Sequence, residues 1–248
     1  MNVSSATSAG RIRPLNEDAY FVSEPSSGSV LAVVADGMGG HNAGEVAAGE
    51  AVGIFHKVLF GSSGDALKDS LLRAVSEANS KIYEMSIHKK KLSGMGTTIT
   101  ACVAEEKKVT AVQVGDSRLY LIRGDKITQI TKDHSLVEML VESGSITKEQ
   151  AKHHPQRNVI TRAVGTDETV EADIYEFPVE PEDKILLCSD GLVNMVEDET
   201  ILSVIKTAKN ADSAVKQLVQ EAENAGGTDN ITVILINYES KKNGDDEK

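Results

Sequence analysis

The stretch Val30-Leu31-Ala32-Val33-Val34-Ala35-Asp36-Gly37-Met38-Gly39-Gly40-His41 runs an unbroken apolar segment into an aspartate and a glycine-rich turn. Short apolar runs rich in β-branched residues and bounded by turn formers read as strands. The arrangement recurs. Ile185-Leu186-Leu187-Cys188-Ser189 leads into Asp190-Gly191, and Val109 to Val114 leads through Gly115 into Asp116. Asp229, followed by Asn230, stands before the strand Ile231 to Asn237. Glu17 and Asp18 stand before Ala19 to Val22. Acids at the ends of several apolar strands converge on one point if the strands are neighbours.

Such a cluster has limited chemistry. Clustered carboxylates repel one another, so they need a cation or raised pKa values. Carboxylate, carbonyl and water donors, with no His or Cys set, suit hard ions: Mg²⁺, Mn²⁺ or Ca²⁺. Glycine after the aspartate lets the backbone approach closely, so a carbonyl such as that of Gly37 can itself be a ligand. Two such ions close together would bridge a water, lower its pKa and hold a phosphate in line. Asp-Gly is also an ordinary turn pair. Spacing alone leaves both readings open.

Outward from these acids the chain alternates groups of strands with pairs of helices. Strands are expected at Thr97 to Ala104, Arg118 to Arg123, Lys126 to Ile130 and Val170 to Phe177, with Gly124-Asp125 as a hairpin. Apolar spacing of three and four predicts helices over Gly44 to Phe60, Asp65 to Ile87, Ser135 to Glu142, Asp198 to Ala208 and Asp212 to Ala225. Consecutive strands with short turns favour antiparallel pairing. The order predicts an α+β fold, with helices covering layered, mainly antiparallel sheets. One domain is expected over residues 1–238. The polar segment Glu239 to Lys248 has no apolar residue and is expected to be a disordered tail.

Composition narrows the partners. The 248 residues carry 26 Lys and Arg against 38 Asp and Glu, a formal charge of −12. Phosphate backbones repel such a chain, and the longest basic run is Lys89-Lys90-Lys91, so no nucleic acid is expected. The same charge disfavours highly acidic substrates. No stretch has a signal-peptide core or membrane-span length, so a cytoplasmic protein with no membrane partner is expected. Cys102 and Cys188 sit in apolar runs and read as buried, reduced thiols.

Ordered along the chain are Arg13-Pro14-Leu15-Asn16-Glu17-Asp18, Val34-Ala35-Asp36-Gly37-Met38-Gly39-Gly40-His41, Gly44-Glu45, Gly94-Met95-Gly96-Thr97-Thr98 and Val114-Gly115-Asp116-Ser117-Arg118. They continue with Asp133-His134-Ser135, Ile160-Thr161-Arg162-Ala163-Val164-Gly165, Ser189-Asp190-Gly191-Leu192 and Thr228-Asp229-Asn230-Ile231-Thr232. Any one is weak. Together, in this order and over nearly the whole chain to Asn237, they resemble the metal-dependent serine/threonine protein phosphatases called PP2C or PPM, in their compact bacterial form.

The resemblance implies a four-layer α-β-β-α sandwich with a metal site at one edge of the two sheets. It implies Mn²⁺ or Mg²⁺, two core ions and a third. Asp36 would bridge two ions, with the Gly37 carbonyl on one of them. Asp190 and Asp229 would complete the second ion's ligands. Asp18 and Glu17 would hold metal-bound waters or ligate directly. Asp116 with Asp190 would make the third site, and Arg13 would grip the substrate phosphate through paired N–H donors. The implied reaction is one-step hydrolysis of phosphoserine or phosphothreonine by a metal-bridging hydroxide, with no phosphoenzyme. Substrates would be phosphorylated proteins, with a bacterial Ser/Thr kinase and its targets as the setting, and a monomer suffices.

One position departs from the pattern. Animal members carry a histidine, proposed as general acid, where this chain has Met38. His41 is a candidate substitute, and a metal-bound water is another. The segment His134 to Arg162 corresponds to a flap, mobile in bacterial relatives and involved in substrate choice. Two readings compete with an active protein phosphatase: a catalytically weak module that binds phosphoproteins, and a hydrolase of small phosphate esters. Inactive relatives usually lose an acidic ligand, whereas Asp18, Asp36, Asp116, Asp190 and Asp229 are all present.

Overall fold

A computed structural model describes residues 1–23, 28–40, 43–61 and 66–239. The deciding run is strand β3 (Val30–Met38), and its alternation sets the architecture. Val30, Ala32 and Val34 face one core, and Leu31, Val33 and Ala35 face another. A strand buried on both faces has no polar side, which is why the run reads as continuously apolar. Each fully buried Val or Leu contributes about 1.5–3 kcal/mol.

β3 lies in one sheet with β2 (Asp18–Ser23), β5 (Ile99–Ala104), β6 (Lys108–Val114) and β9 (Asp173–Pro178), in the order β2-β3-β5-β6-β9. The short β4 (Gly96–Thr97) pairs with the end of β3. The other sheet holds β1 (Asn2–Ser8), β7 (Arg118–Arg123), β8 (Lys126–Gln129), β10 (Lys184–Cys188) and β11 (Ile231–Asn237), in the order β1-β11-β10-β7-β8. Pairing within both sheets is antiparallel.

Three apolar cores fill the gaps between four layers. Helices α1 (Ala43–Gly61) and α2 (Leu67–His88) cover the β3 sheet through Phe55, Leu71 and Ile82. Between the sheets, Val30, Ala32, Val34 and Cys102 meet Ile185, Leu187 and Ile234. On the far side, helices α6 (Asp198–Thr207) and α7 (Ala211–Asn224) cover Leu186 and Val233 with Ile201 and Leu218. The result is the expected α-β-β-α sandwich. Both cysteines are buried and unpaired, and burial pushes their thiols up to about 12. Among the described residues no helix is long and apolar enough to cross a membrane.

The structure departs from the sequence expectation in four places. The N-terminus is a strand, β1, paired along its length with β11. Its Ser and Thr residues hid it, because an edge strand over one half-buried face needs little apolar content. The expected strand Thr97 to Ala104 breaks at Thr98. Neither Asp-Gly pair is a turn: Asp36-Gly37 lies inside β3, and Asp190-Gly191 opens the short helix α5 (Asp190–Val193). Finally, the segment after α3 (Leu136–Glu142) contains a further helix, α4 (Lys148–Lys152), started by a capping box at Thr147 and Gln150. Neither α3 nor α4 buries a residue. Asp65, the expected start of α2, and residues 240–248 of the expected tail lie outside the described residues.

Candidate active site

Two strand junctions from each sheet bring the acids together. In the β3 sheet, Asp18 is the register partner of Asp36 across β2 and β3. In the other sheet, Asp190 follows β10 and Asp229 precedes β11, and the Ser189 N–H donates to the Thr232 carbonyl at 3.0 Å to hold those ends side by side. Asp116 lies where the chain crosses from one sheet to the other, between β6 and β7. The site is therefore the edge at which both sheets end.

Local bonding aims each carboxylate. The break at Thr98 wraps that residue around Asp36. The Asp36 N–H donates to Thr98 Oγ1 (2.9 Å), and the Thr98 N–H and Thr97 Oγ1 both donate to the Asp36 carbonyl (2.9 Å each). Below Asp116, the buried Gln113 donates to the Gly115 and Ser117 carbonyls at 2.9 and 2.6 Å, and Thr100 Oγ1 donates to Gln113 Oε1 at 2.6 Å. Ser189 Oγ donates to Asp18 Oδ2 (2.8 Å), and Asn194 Nδ2 donates to Asp190 Oδ2 (2.9 Å). Each of these bonds occupies one carboxylate oxygen. The other two, Asp18 Oδ1 and Asp190 Oδ1, are buried with no hydrogen-bond partner.

The loop before β2 delivers the remaining groups. Arg13 Nη2 meets Asp229 Oδ2 at 2.8 Å, with both side chains partly exposed. Glu17 Oε1 accepts the Gly44 N–H at 3.2 Å, so this carboxylate sits at the N-terminus of α1 with one oxygen already engaged. Gly37 packs backbone to backbone here: a Cβ on it would lie 2.2 Å from the Gly44 carbonyl oxygen. His41 lies outside the described residues. His153 is exposed and pairs with Glu149 at 3.6 Å.

The electrostatics are those of an uncompensated acid cluster. Burial, then repulsion from Asp190 and Asp229, pushes Asp18 up to about 7. Burial and the Asp190 charge take Asp116 to about 8, and burial with Asp229 takes Asp190 to about 6. Burial raises Asp36 well above the usual carboxylate range, reinforced by Asp18, Asp190, Asp116 and Asp229 in turn. Of the five aspartates, Asp229 has a partly exposed side chain. Among the described residues no three His, Cys, Asp or Glu side chains close as a ligand set. Carboxylates that repel, orphaned oxygens and a close-packed glycine fit hard divalent ions.

These shifts set a sign for stability. A carboxyl whose folded pKa exceeds its unfolded value binds more protons folded than unfolded between the two values. Stability is then full below about pH 4 and falls as pH rises through the folded pKa. In chelator, the thermal midpoint should therefore decrease from pH 5 to pH 8, and added Mn²⁺ should raise it most at pH 8. Calorimetry showing a chelated protein that gains stability across that range would contradict the cluster.

Thr97, Thr98 and Ser189 stand inside the ordered motifs without a role assigned to them, and Asn194 lies outside those motifs. Their signal was there: polar residues flanking Asp190, and a threonine pair interrupting an apolar strand opposite Asp36.

Comparisons with known proteins agree with this geometry. Residues 8–234 match the family model Protein phosphatase 2C. The chain is 36% identical over 250 residues to serine/threonine phosphatase stp of Listeria monocytogenes serotype 4b, covering 99% of each. It superposes on the Mycobacterium tuberculosis serine/threonine phosphatase PstP/Ppp with a TM-score of 0.89 at 37% identity, covering 96% of this chain and 99% of that one. A PstP catalytic domain in complex with two manganese ions matches with a TM-score of 0.86 at 34% identity, covering 96% and 98%.

Proposed function

The chain belongs to the protein phosphatase 2C family and is a metal-dependent serine/threonine protein phosphatase; from that premise we propose that the acid cluster at the sheet edge is its reaction centre. The supporting observation is the pair of buried, partnerless oxygens on Asp18 and Asp190, one from each sheet. A buried polar atom without a partner is costly, and a divalent cation is the partner that five crowded carboxylates admit.

In this reading Asp36 and the Gly37 carbonyl would hold the core ions together with Asp190 and Asp229. Asp18 and Glu17 would hold metal-bound waters or ligate directly, and Asp116 with Asp190 would hold a third ion. Bound Mn²⁺ or Mg²⁺ supplies a low-pKa water and neutralises charge on the phosphoryl oxygens. The Arg13 guanidinium, beside Asp229 and open to solvent, donates paired N–H groups to the substrate phosphate. Asp36, Asp190 and Asp229 form a fixed anionic floor that aligns the attacking water with the phosphorus. The candidates to protonate the leaving serine or threonine oxygen are His41 and a metal-bound water, and His41→Ala should change the pH dependence of kcat where His41 is the acid. Residues 1–238 act as one phosphatase domain, a monomer in the cytoplasm, opposing a Ser/Thr kinase on its phosphorylated targets.

The test is hydrolysis of a phosphothreonine peptide with Mn²⁺, with Mg²⁺ and with chelator, beside sugar phosphates and nucleotides. Turnover should need added metal and favour the phosphopeptide. Folded protein that is inactive with every divalent ion would move the cluster to a binding role, and a preference for small esters would replace the substrate class.

A further inference from the structure

Asn230 follows Asp229 in the chain, is 5% exposed, and spends its whole amide on one loop. Nδ2 donates to the Ala9 carbonyl at 3.0 Å and to the Leu15 carbonyl at 2.9 Å. Oδ1 accepts the Glu17 N–H at 2.8 Å. Ala9 and Leu15 are the two ends of the loop that carries Arg13, and residues 11–14 between them are exposed. Other anchors of the loop are single bonds: the Arg11 N–H to the Gly227 carbonyl at 2.8 Å, Arg11 Nη2 to Asn224 Oδ1 at 3.1 Å, Asn16 Nδ2 to Thr7 Oγ1 at 2.9 Å, the Gly10 N–H to Ser8 Oγ at 3.1 Å, the Gly37 N–H to the Glu17 carbonyl at 3.2 Å, and Arg13 Nη2 to Asp229 Oδ2 at 2.8 Å, with Gly10 packed against the Asp229 backbone.

We infer that Asn230 is a positioning residue: its side chain clasps both ends of the loop and so sets where Arg13 meets the substrate phosphate. This rests on the phosphate-binding role of Arg13 proposed above. The chemistry selects asparagine. Two N–H donors and one acceptor on a short side chain are all used, and no other side chain of this length offers them. Aspartate keeps the acceptor and loses both donors. Serine offers a single donor. Glutamine carries its amide one methylene further out. Because Asp229 Oδ1 also accepts the Asn230 backbone N–H at 2.9 Å, the clasp references the loop to the acid that Arg13 touches. An arm held at both ends enters the reaction with its orientation already restricted, and loss of that restriction appears in substrate binding.

A double-mutant cycle on phosphothreonine peptide tests this, with metal saturating. Arg13→Ala alone should lower kcat/KM on the order of 100-fold. Asn230→Ala alone should lower it about tenfold, mainly through KM. In the Arg13→Ala background, Asn230→Ala should cost less than about twofold, because the arm it positions is gone. Asn230→Asp should behave like Asn230→Ala, since both lack the donors. Circular dichroism and the Mn²⁺ midpoint monitor the fold and the ion sites, and hydrogen exchange over residues 9–16 should rise in both Asn230 variants. Costs that multiply in the double variant, or an Asn230→Asp protein with full activity, overturn the clasp and leave Arg13 in place. An Arg13→Ala protein with wild-type kcat/KM overturns the phosphate reading instead. Unchanged exchange over the loop then overturns the clasp as well.

Discussion

Asp36→Asn should abolish turnover of a phosphothreonine peptide, with kcat down on the order of 1,000-fold, while the chelated protein becomes more stable. The two effects have one cause. Asp36 faces Asp18 across the β2–β3 pairing and is repelled by Asp18, Asp190, Asp116 and Asp229. Asparagine has the same shape, so the backbone bonds to Thr97 and Thr98 survive. It removes the charge that crowds the metal-free cluster, and with it the carboxylate proposed above to hold the core ions. Activity and thermal midpoint should therefore move in opposite directions. The assay pairs kcat at saturating Mn²⁺ with thermal unfolding in chelator. Retention of more than a tenth of the wild-type rate would remove Asp36 from the centre of the mechanism.

Gly37→Ala should cost both stability and activity. The added methyl would sit 2.2 Å from the Gly44 carbonyl oxygen and 2.5 Å from the Glu17 carbonyl oxygen. Both are backbone atoms, so no rotamer change relieves the contact. Overpacking of this kind costs about 3 kcal/mol, or a fall in thermal midpoint of about 6–12 °C for a chain this size. The strain is released by separating β3 from α1 and from the loop at Glu17, which moves the Gly37 carbonyl relative to Asp36. Activity should then fall about 100-fold even below the new midpoint. A Gly37→Ala protein with the wild-type midpoint would show that the close packing is not required. One that is stable yet inactive would assign the glycine to ligand geometry alone.

The sequence was most legible where burial is extreme. β3 and β10 are sealed on both faces, so their apolar runs could be nothing else, and the acids at their ends fell out of the same reading. The ordered motifs then supplied the sandwich. What escaped notice has weak local signal and strong distant partners. β1 is held by β11, from the other end of the chain, and its own residues barely favour a strand. The break at Thr98 exists because Asp36 needs three hydrogen bonds there, a demand that spacing within residues 97–104 does not reveal. The Asp-Gly pairs carried two readings for the complementary reason. Turn chemistry is their commonest use, yet Gly37 is required by the approach of Gly44 and Gly191 by the approach of the Asn230 carbonyl oxygen, 2.0 Å from where a Cβ would be. Close approach between distant segments is a tertiary fact, and only the folded chain displays it.

The pairing of the first strand with the last bears on how the protein is made. Synthesis is vectorial, and β1 leaves the ribosome long before its partner β11 exists. Arg13 and Asp229, 216 positions apart, meet only when the final strand has emerged. Until then the nascent chain carries an unpaired edge and an incomplete acid cluster, and long-range pairing of this kind is slow to close. A chain that stops just before Asp229 therefore lacks both β11 and the acid that Arg13 meets, and it should show no turnover of a phosphothreonine peptide.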